Sequence, residues 1–374
     1  MKRLSIFIIP LMILILACGL TPGKVAPATP LPPILPTTFE QATQVPANTP
    51  ETEPAVLGTD IPISTLTPVL IPDPTAGGSI LINPDPPDKT VKLIFIHHSS
   101  GENWLADDNG GLGLALMKNN YFVSDTNYDW GPNDPNLGGP IGSYTDFGNW
   151  WNWFLGPNQN VVLKALYSEN QQHAAYTRLE NDPGGENEII LFKSCFPNSG
   201  LNGNPDDAAN TDENPLNGQD ASSENHTIAN AKGIYINLLK YFGSQPDHLF
   251  IAVTAPPLLK NQTSSEQAEN IRSFNHWLVN DWLKSYPNHN VAVFDFFNVL
   301  TTNGGSPEKN DLNVSGGNHH RYINGGIEYV SDQGGNTSAY ALDDDSHPQV
   351  AGNQKAAAEF LPLLNIYYHR WQER

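Results

Sequence analysis

Apolar residues recur along this chain in two rhythms that alternate from Val91 onward. Val91 to Ile96 is a nearly unbroken apolar run, as expected of a strand covered on both faces. Leu112 to Lys118 follows with helical character, and a second strand is predicted near Tyr121 to Tyr128, ending at Asp129-Trp130-Gly131-Pro132. A third, Glu188 to Phe192, runs into Lys193-Ser194-Cys195-Phe196-Pro197-Asn198-Ser199-Gly200. Thr227 to Phe242 carries Ile228, Ile234, Ile236, Leu238 and Leu239 at helical intervals, and the fourth strand, His248 to Thr254, is stopped by Ala255-Pro256-Pro257. Thr263 and Glu266 have capping-box spacing ahead of Ile271, Phe274, Leu278 and Trp282 on one helix face. Val291 to Phe296 is the fifth strand, and a final helix covers about Val350 to Tyr367, with Pro362 as a point of kinking. Strands alternating with helices predict a five-stranded parallel sheet covered on both sides, with ligands bound beyond the C-terminal strand ends. Ser99, Gly131, Asn198 and Pro256 all fall at those ends.

The first 90 residues follow neither rhythm. Lys2 and Arg3 precede an apolar run, Leu4 to Ala17, that is short for a membrane span of about 20 residues. It closes on Ile15-Leu16-Ala17-Cys18, which resembles the lipobox of bacterial lipoproteins, with residues 1–18 as signal peptide and Cys18 as the lipidated residue. A plain secretory signal is the alternative reading. Residues 19–90 form a Pro/Thr-rich tether, and the part from Thr21 to Asp88 holds half of the 32 prolines. Such a segment lacks the apolar surface to build a core and favours extended conformations. Residues 91–374 are long enough for one α/β domain. The expected location is therefore extracytoplasmic, on the bacterial cell surface or in the periplasm.

Charge narrows the partners. A formal net charge of −20 argues against nucleic acid and against docking on anionic headgroups, so membrane attachment is expected through the lipid alone. With Cys18 assigned to lipid, Cys195 has no disulfide partner within the chain.

Near the C-terminus stands Asp344-Asp345-Ser346-His347-Pro348. A carboxylate three residues ahead of a histidine can hold one ring nitrogen and leave the other as a base. The nucleophile such a base needs is offered where the first strand ends, in His97-His98-Ser99-Ser100-Gly101. Ser, Asp, His in chain order is one way to build a hydrolytic triad. With these motifs the domain resembles the SGNH (GDSL-like) hydrolase superfamily. The resemblance implies a flavodoxin-like three-layer α/β/α sandwich and serine-esterase chemistry. It implies Ser99 as nucleophile, His347 as base and Asp344 as its orienting acid. Gly131 and Asn198 take the oxyanion-hole positions, with Ser194 as the alternative to Asn198. The chain departs from the family where His97-His98-Ser99 replaces Gly-Asp-Ser and where no Gly-x-Asn-Asp follows the third strand.

Other clusters add less. His97-His98, His319-His320 and His347 have no metal-ligand spacing, so no metal and no cofactor are expected, and His97 or His98 is read as packing or bonding behind the nucleophile. Asp206, Asp207, Asp212 and Glu213 lie in an Asn/Asp-rich loop without calcium-loop spacing, read as a solvated insertion over the site. Trp150, Trp151 and Trp153 cannot share one helix face; as core they anchor an insertion, and as cleft residues Trp151 and Trp153 line a sugar site. The expected substrate is a small-molecule or polysaccharide ester, foremost an O-acyl group such as acetyl on a carbohydrate. A silent glycan-binding protein and a lipid esterase remain the alternatives.

Overall fold

The computed structural model describes residues 82–132, 139–302, 320–323, 325–329, 335–342 and 344–373. Cys18, residues 19–81 and His319 lie outside the described residues.

Five strands form one parallel sheet: β1 (Val91–Ile96), β2 (Tyr121–Thr126), β3 (Ile189–Lys193), β4 (Leu249–Val253) and β5 (Val291–Phe294), in the order β2-β1-β3-β4-β5. This is a doubly wound order whose topological switch falls between β1 and β3, where the chain leaves the sheet in opposite directions. Because the strands are buried on both faces, they are apolar at most successive positions, Lys92, Ser124, Asp125, Thr126 and Lys193 excepted, and feed two separate cores. Ile94, Ile96, Ile190 and Phe192 face a layer built from α3 (Trp150–Phe154), α4 (Gln159–Ser168), α5 (Ile228–Gly243) and α6 (Ser265–Asn280). Leu93, Phe95, Leu191 and Ile251 face α1 (Ser99–Leu105), α2 (Leu112–Lys118), α7 (Phe296–Thr301) and α8 (Val350–Gln372).

Several boundaries differ from expectation. The box that starts α6 is Ser264 with Gln267, one residue beyond the Thr263/Glu266 pair, because it is the Ser264 side chain that accepts the Gln267 N–H. Helix α8 continues through Pro362 to Gln372. Residues 82–90, placed in the tether by composition, lie against the domain: Asn365 Nδ2 donates to Pro84 O (2.7 Å) and Asn120 Nδ2 to Pro87 O (2.8 Å). The Asn-rich stretch after residue 200 is solvated at Asp206, Asp212 and Glu213, as expected, and is also anchored to the domain at a few buried positions. Buried Asn214 donates to Asn210 O and Asn230 O, and Asn270 on α6 donates to Leu201 O and Gly203 O. Two short antiparallel hairpins precede α8: β6 (His320–Ile323) with β7 (Gly326–Tyr329), and β8 (Ala341–Leu342) with β9 (Asp345–Pro348).

Candidate active site

The switch point between β1 and β3 is where this sheet opens. Strand β1 ends at Ile96, and the chain turns directly into α1, so Ser99 sits in the first helical turn. The turn is tight enough to demand glycine two residues on: a Cβ at Gly101 would lie 2.3 Å from His97 Cβ. Gly101 and Glu102 N–H both bond His98 O, which leaves the Ser99 and Ser100 N–H as first-turn donors with no intrahelical acceptor. The two serines part company here. Ser100 is buried with its Oγ 3.0 Å from Cys195 Sγ, whereas Ser99 is half-buried and its Oγ lies 2.6 Å from His347 Nε2.

His347 reaches Ser99 from β9. Side chains alternate along a strand, so Asp345 and His347 share one face and Ser346 takes the other. Ser346 is buried, accepts the Leu259 N–H (3.0 Å) and donates to Gln262 Oε1, pinning β9 to the loop after β4. On the open face, Asp345 Oδ1 is 2.6 Å from His347 Nδ1 and also accepts the His347 backbone N–H at 3.0 Å. That backbone bond, with the imidazole beside it, holds the Asp345 carboxyl below the usual carboxylate range. Phe196 packs edge-on against the ring, centroids 4.8 Å apart.

The expectation of Asp344 as the partner of His347 is therefore corrected. A DxxH pair needs a turn to fold the carboxylate back, but this segment is extended, and i,i+2 is the spacing that keeps two side chains together. Asp344 is exposed in the hairpin turn, where its carbonyl accepts from Gln262 Nε2 (3.1 Å).

The expected oxyanion residues fare differently. Asn198 is fully buried and occupied: Nδ2 donates to Asp146 Oδ1 (2.6 Å) and Cys195 O (3.2 Å), and Oδ1 accepts the Phe147 N–H (2.8 Å). No amide hydrogen of that side chain is left for an oxyanion, so this assignment is corrected as well. Ser194 is buried, its Oγ accepting from Trp150 Nε1 (3.0 Å), and among the described residues no hydrogen bond joins it to Ser99 or His347. Gly131 has φ +151°, and a Cβ there would meet Ile141 at 3.0 Å, so glycine is required by the turn and by close packing. Among the described residues, no hydrogen bond joins Gly131 to Ser99 or His347. The Ser99 and Ser100 N–H, at the start of α1, are donors without an intrahelical acceptor.

The tryptophans divide. Trp153 is buried, stacked on Trp130 (5.5 Å), with Nε1 donating to Tyr144 O (2.6 Å), so it cannot line a sugar cleft. Trp151 is half-buried, packed on the core and on Gly156 at the α3–α4 turn.

Two histidines and a lysine lie next to the segment that carries Ser99. His97 is buried, with Nε2 3.1 Å from Asp125 Oδ2 and Nδ1 2.9 Å from His98 O. His98 has Nε2 2.6 Å from Gly142 O and Nδ1 3.2 Å from Thr145 Oγ1, so Nε2 carries the hydrogen and Nδ1 accepts from the hydroxyl. Burial, with a smaller effect of the Lys193 charge, pulls its pKa down to about 4 and keeps it neutral near pH 7. Lys193, fully buried at the end of β3, is pushed down to about 8 by burial, and its Nζ donates to Ser194 O at 3.3 Å. Among the described residues, no group of three or more His, Cys, Asp or Glu side chains is arranged to hold a metal ion.

Chemically, a hydroxyl bonded to an imidazole whose far nitrogen is held by a carboxylate can lose its proton as it attacks an electrophilic carbon. No family model, no curated protein and no solved structure matches the chain.

Proposed function

We propose that this protein is a serine esterase that removes an O-acyl group, such as acetyl, from a carbohydrate. One observation carries the reading: the continuous line from Ser99 Oγ to His347 Nε2 and from His347 Nδ1 to Asp345 Oδ1, both spans 2.6 Å, at the C-terminal edge of a parallel sheet. With Nδ1–H donating to Asp345, Nε2 presents its lone pair to the Ser99 hydroxyl. Ser99 Oγ bonds to the ester carbonyl carbon as its proton passes to Nε2. The tetrahedral intermediate then expels the sugar oxygen, which takes that proton, and water releases the acyl group by the same route reversed. The negative oxygen is received by the first-turn N–H groups of α1.

The test is chemical labelling and turnover. A fluorophosphonate probe should label the wild-type protein and the Ser100→Ala variant, but not Ser99→Ala. Ser99→Ala should also lose at least about 10⁴-fold of its p-nitrophenyl acetate hydrolysis. Labelling that persists without Ser99 overturns the reading.

We further propose that the enzyme works at the cell surface, held by lipid on Cys18. Cys18→Ser should shift the protein from the membrane fraction to the medium or leave it unprocessed; a mature N-terminus found elsewhere by mass spectrometry refutes this.

A further inference from the structure

Aromatic residues make up 10% of this chain, yet two large rings stand exposed among the described residues: Tyr128 at 51% and Tyr144 at 41%. Tyr128 packs on His98, the residue before Ser99, and Tyr144 is joined to it only through the chain. Tyr128 lies flat on the His98 imidazole, ring centroids 4.0 Å apart and planes 21° from parallel. Tyr144 directly precedes Thr145, whose hydroxyl bonds His98 Nδ1. The exposed Tyr128 ring therefore lies against the residue that directly precedes Ser99 in the chain.

We propose that Tyr128, seated on His98, is the platform on which a neutral pyranose ring of the substrate stacks beside Ser99. This deepens the carbohydrate-esterase reading and rests on it. The platform is built before the ligand arrives. His98 is held at both ring nitrogens, by Gly142 O and by the Thr145 hydroxyl, so it cannot swing, and Tyr128 covers one of its faces. A tyrosine fixed in this way loses little side-chain freedom on binding, while its outer face stays open to solvent. The surroundings choose among ligands. An acyl chain prefers a concave apolar pocket, but Tyr128 is flanked by exposed Asp129, whose N–H donates to the Ser143 hydroxyl at 3.3 Å. A flat ring with a polar fringe matches the face of a sugar, whose C–H groups lie on the aromatic ring and whose hydroxyls meet the fringe. A net charge of −20 disfavours acidic polymers and selects neutral ones.

Calorimetry of xylohexaose, mannohexaose and N-acetylchitohexaose binding to the Ser99→Ala protein reads this platform without any turnover. At least one should bind, and Tyr128→Ala and Tyr128→Leu in that background should each weaken it about tenfold, while Tyr128→Phe retains it. Leu keeps His98 covered but offers no flat face, so it separates stacking from mere packing. With Ser99 present, Tyr128→Ala should raise KM for the acetylated form of that oligosaccharide about as much, with kcat changed far less. The platform is refuted if none of the three binds, if Leu binds as well as Tyr, or if Ala leaves the affinity intact. Oligosaccharide binding that depends on Tyr128 in a protein whose wild type hydrolyses no ester would sink the esterase reading and leave the platform standing.

Discussion

Replacing Asp345 by Asn changes one charge at the end of the Ser99–His347 line and leaves its shape. Asp345 Oδ1 accepts both the His347 backbone N–H and Nδ1–H. The backbone donor keeps an oxygen at that spot in the Asn variant too, so the ring tautomer is preserved. What is lost is the attraction between carboxylate and imidazolium as the proton arrives. At 2.6 Å that attraction is about 1.6 kcal/mol in bulk water and about 6 kcal/mol at the effective dielectric near a protein surface. With the Asp345 side chain 53% exposed, the value lies toward the lower end, about 2–3 kcal/mol, or about 10²-fold in kcat. Asp345→Ala also frees the ring and should cost about 10³-fold. Asp344→Asn, altering an exposed turn, should stay within about twofold. Steady-state kinetics of the three variants on p-nitrophenyl acetate separates them. A loss in Asp344→Asn equal to that in Asp345→Asn, or a fully active Asp345→Ala, refutes the reasoning.

Further outcomes follow from burial. His98 titrates near 6.5 when unfolded and at about 4 when folded, so the unfolded state binds the extra proton between these values. Its contribution is complete above pH 6.5 and declines by about 3 kcal/mol as pH falls to about 4; urea unfolding at pH 7.5, 5.5 and 4.5 should show a shallower decline for His98→Gln, and identical slopes would rule this out. Trp153→Phe should lower stability by about 2 kcal/mol through lost packing and the lost bond to Tyr144 O, without weakening oligosaccharide binding; the reverse pattern would return Trp153 to the cleft. Asn198→Ala should lower the melting temperature, because Asp146 Oδ1 and the Phe147 N–H lose their partner. Its kcat, measured where the variant is folded, should fall less than the 10²–10³-fold that removal of an oxyanion donor costs.

The five strands were legible because burial on both sheet faces leaves a mark each residue carries alone, a largely apolar run such as Val91–Ile96. The pairing of Ser99 with His347 was legible for other reasons, Ser99 standing where the first apolar run breaks and His347 lying close behind a run of aspartates. The acid partner was not, because three aspartates in a row are told apart by whether the chain is extended or turned, and β9 is held extended by pairing with β8 and by Ser346 on the loop after β4. Asn198 reads as a free donor until Asp146 and Phe147 are brought across from residues some fifty positions away. The tryptophans misled for the same reason: Trp153 is hidden by Trp130 and its neighbours, while exposed Tyr128 carries no mark of its exposure in the sequence.

The direction of β1 has a mechanical consequence. The upstream chain enters the domain at Val91, where residues 82–90 are moored to α8 and Asn120, and Ser99 stands just past the other end of the same strand, about 20 Å away. A pull between the upstream chain and a polymer held at Ser99 therefore runs along the axis of β1. Six residues of β1 are in register with β2 and four with β3. The covalent backbone of β1 carries that load directly, and the ladders on both sides are sheared only by the part of it that the site passes to β2 and β3.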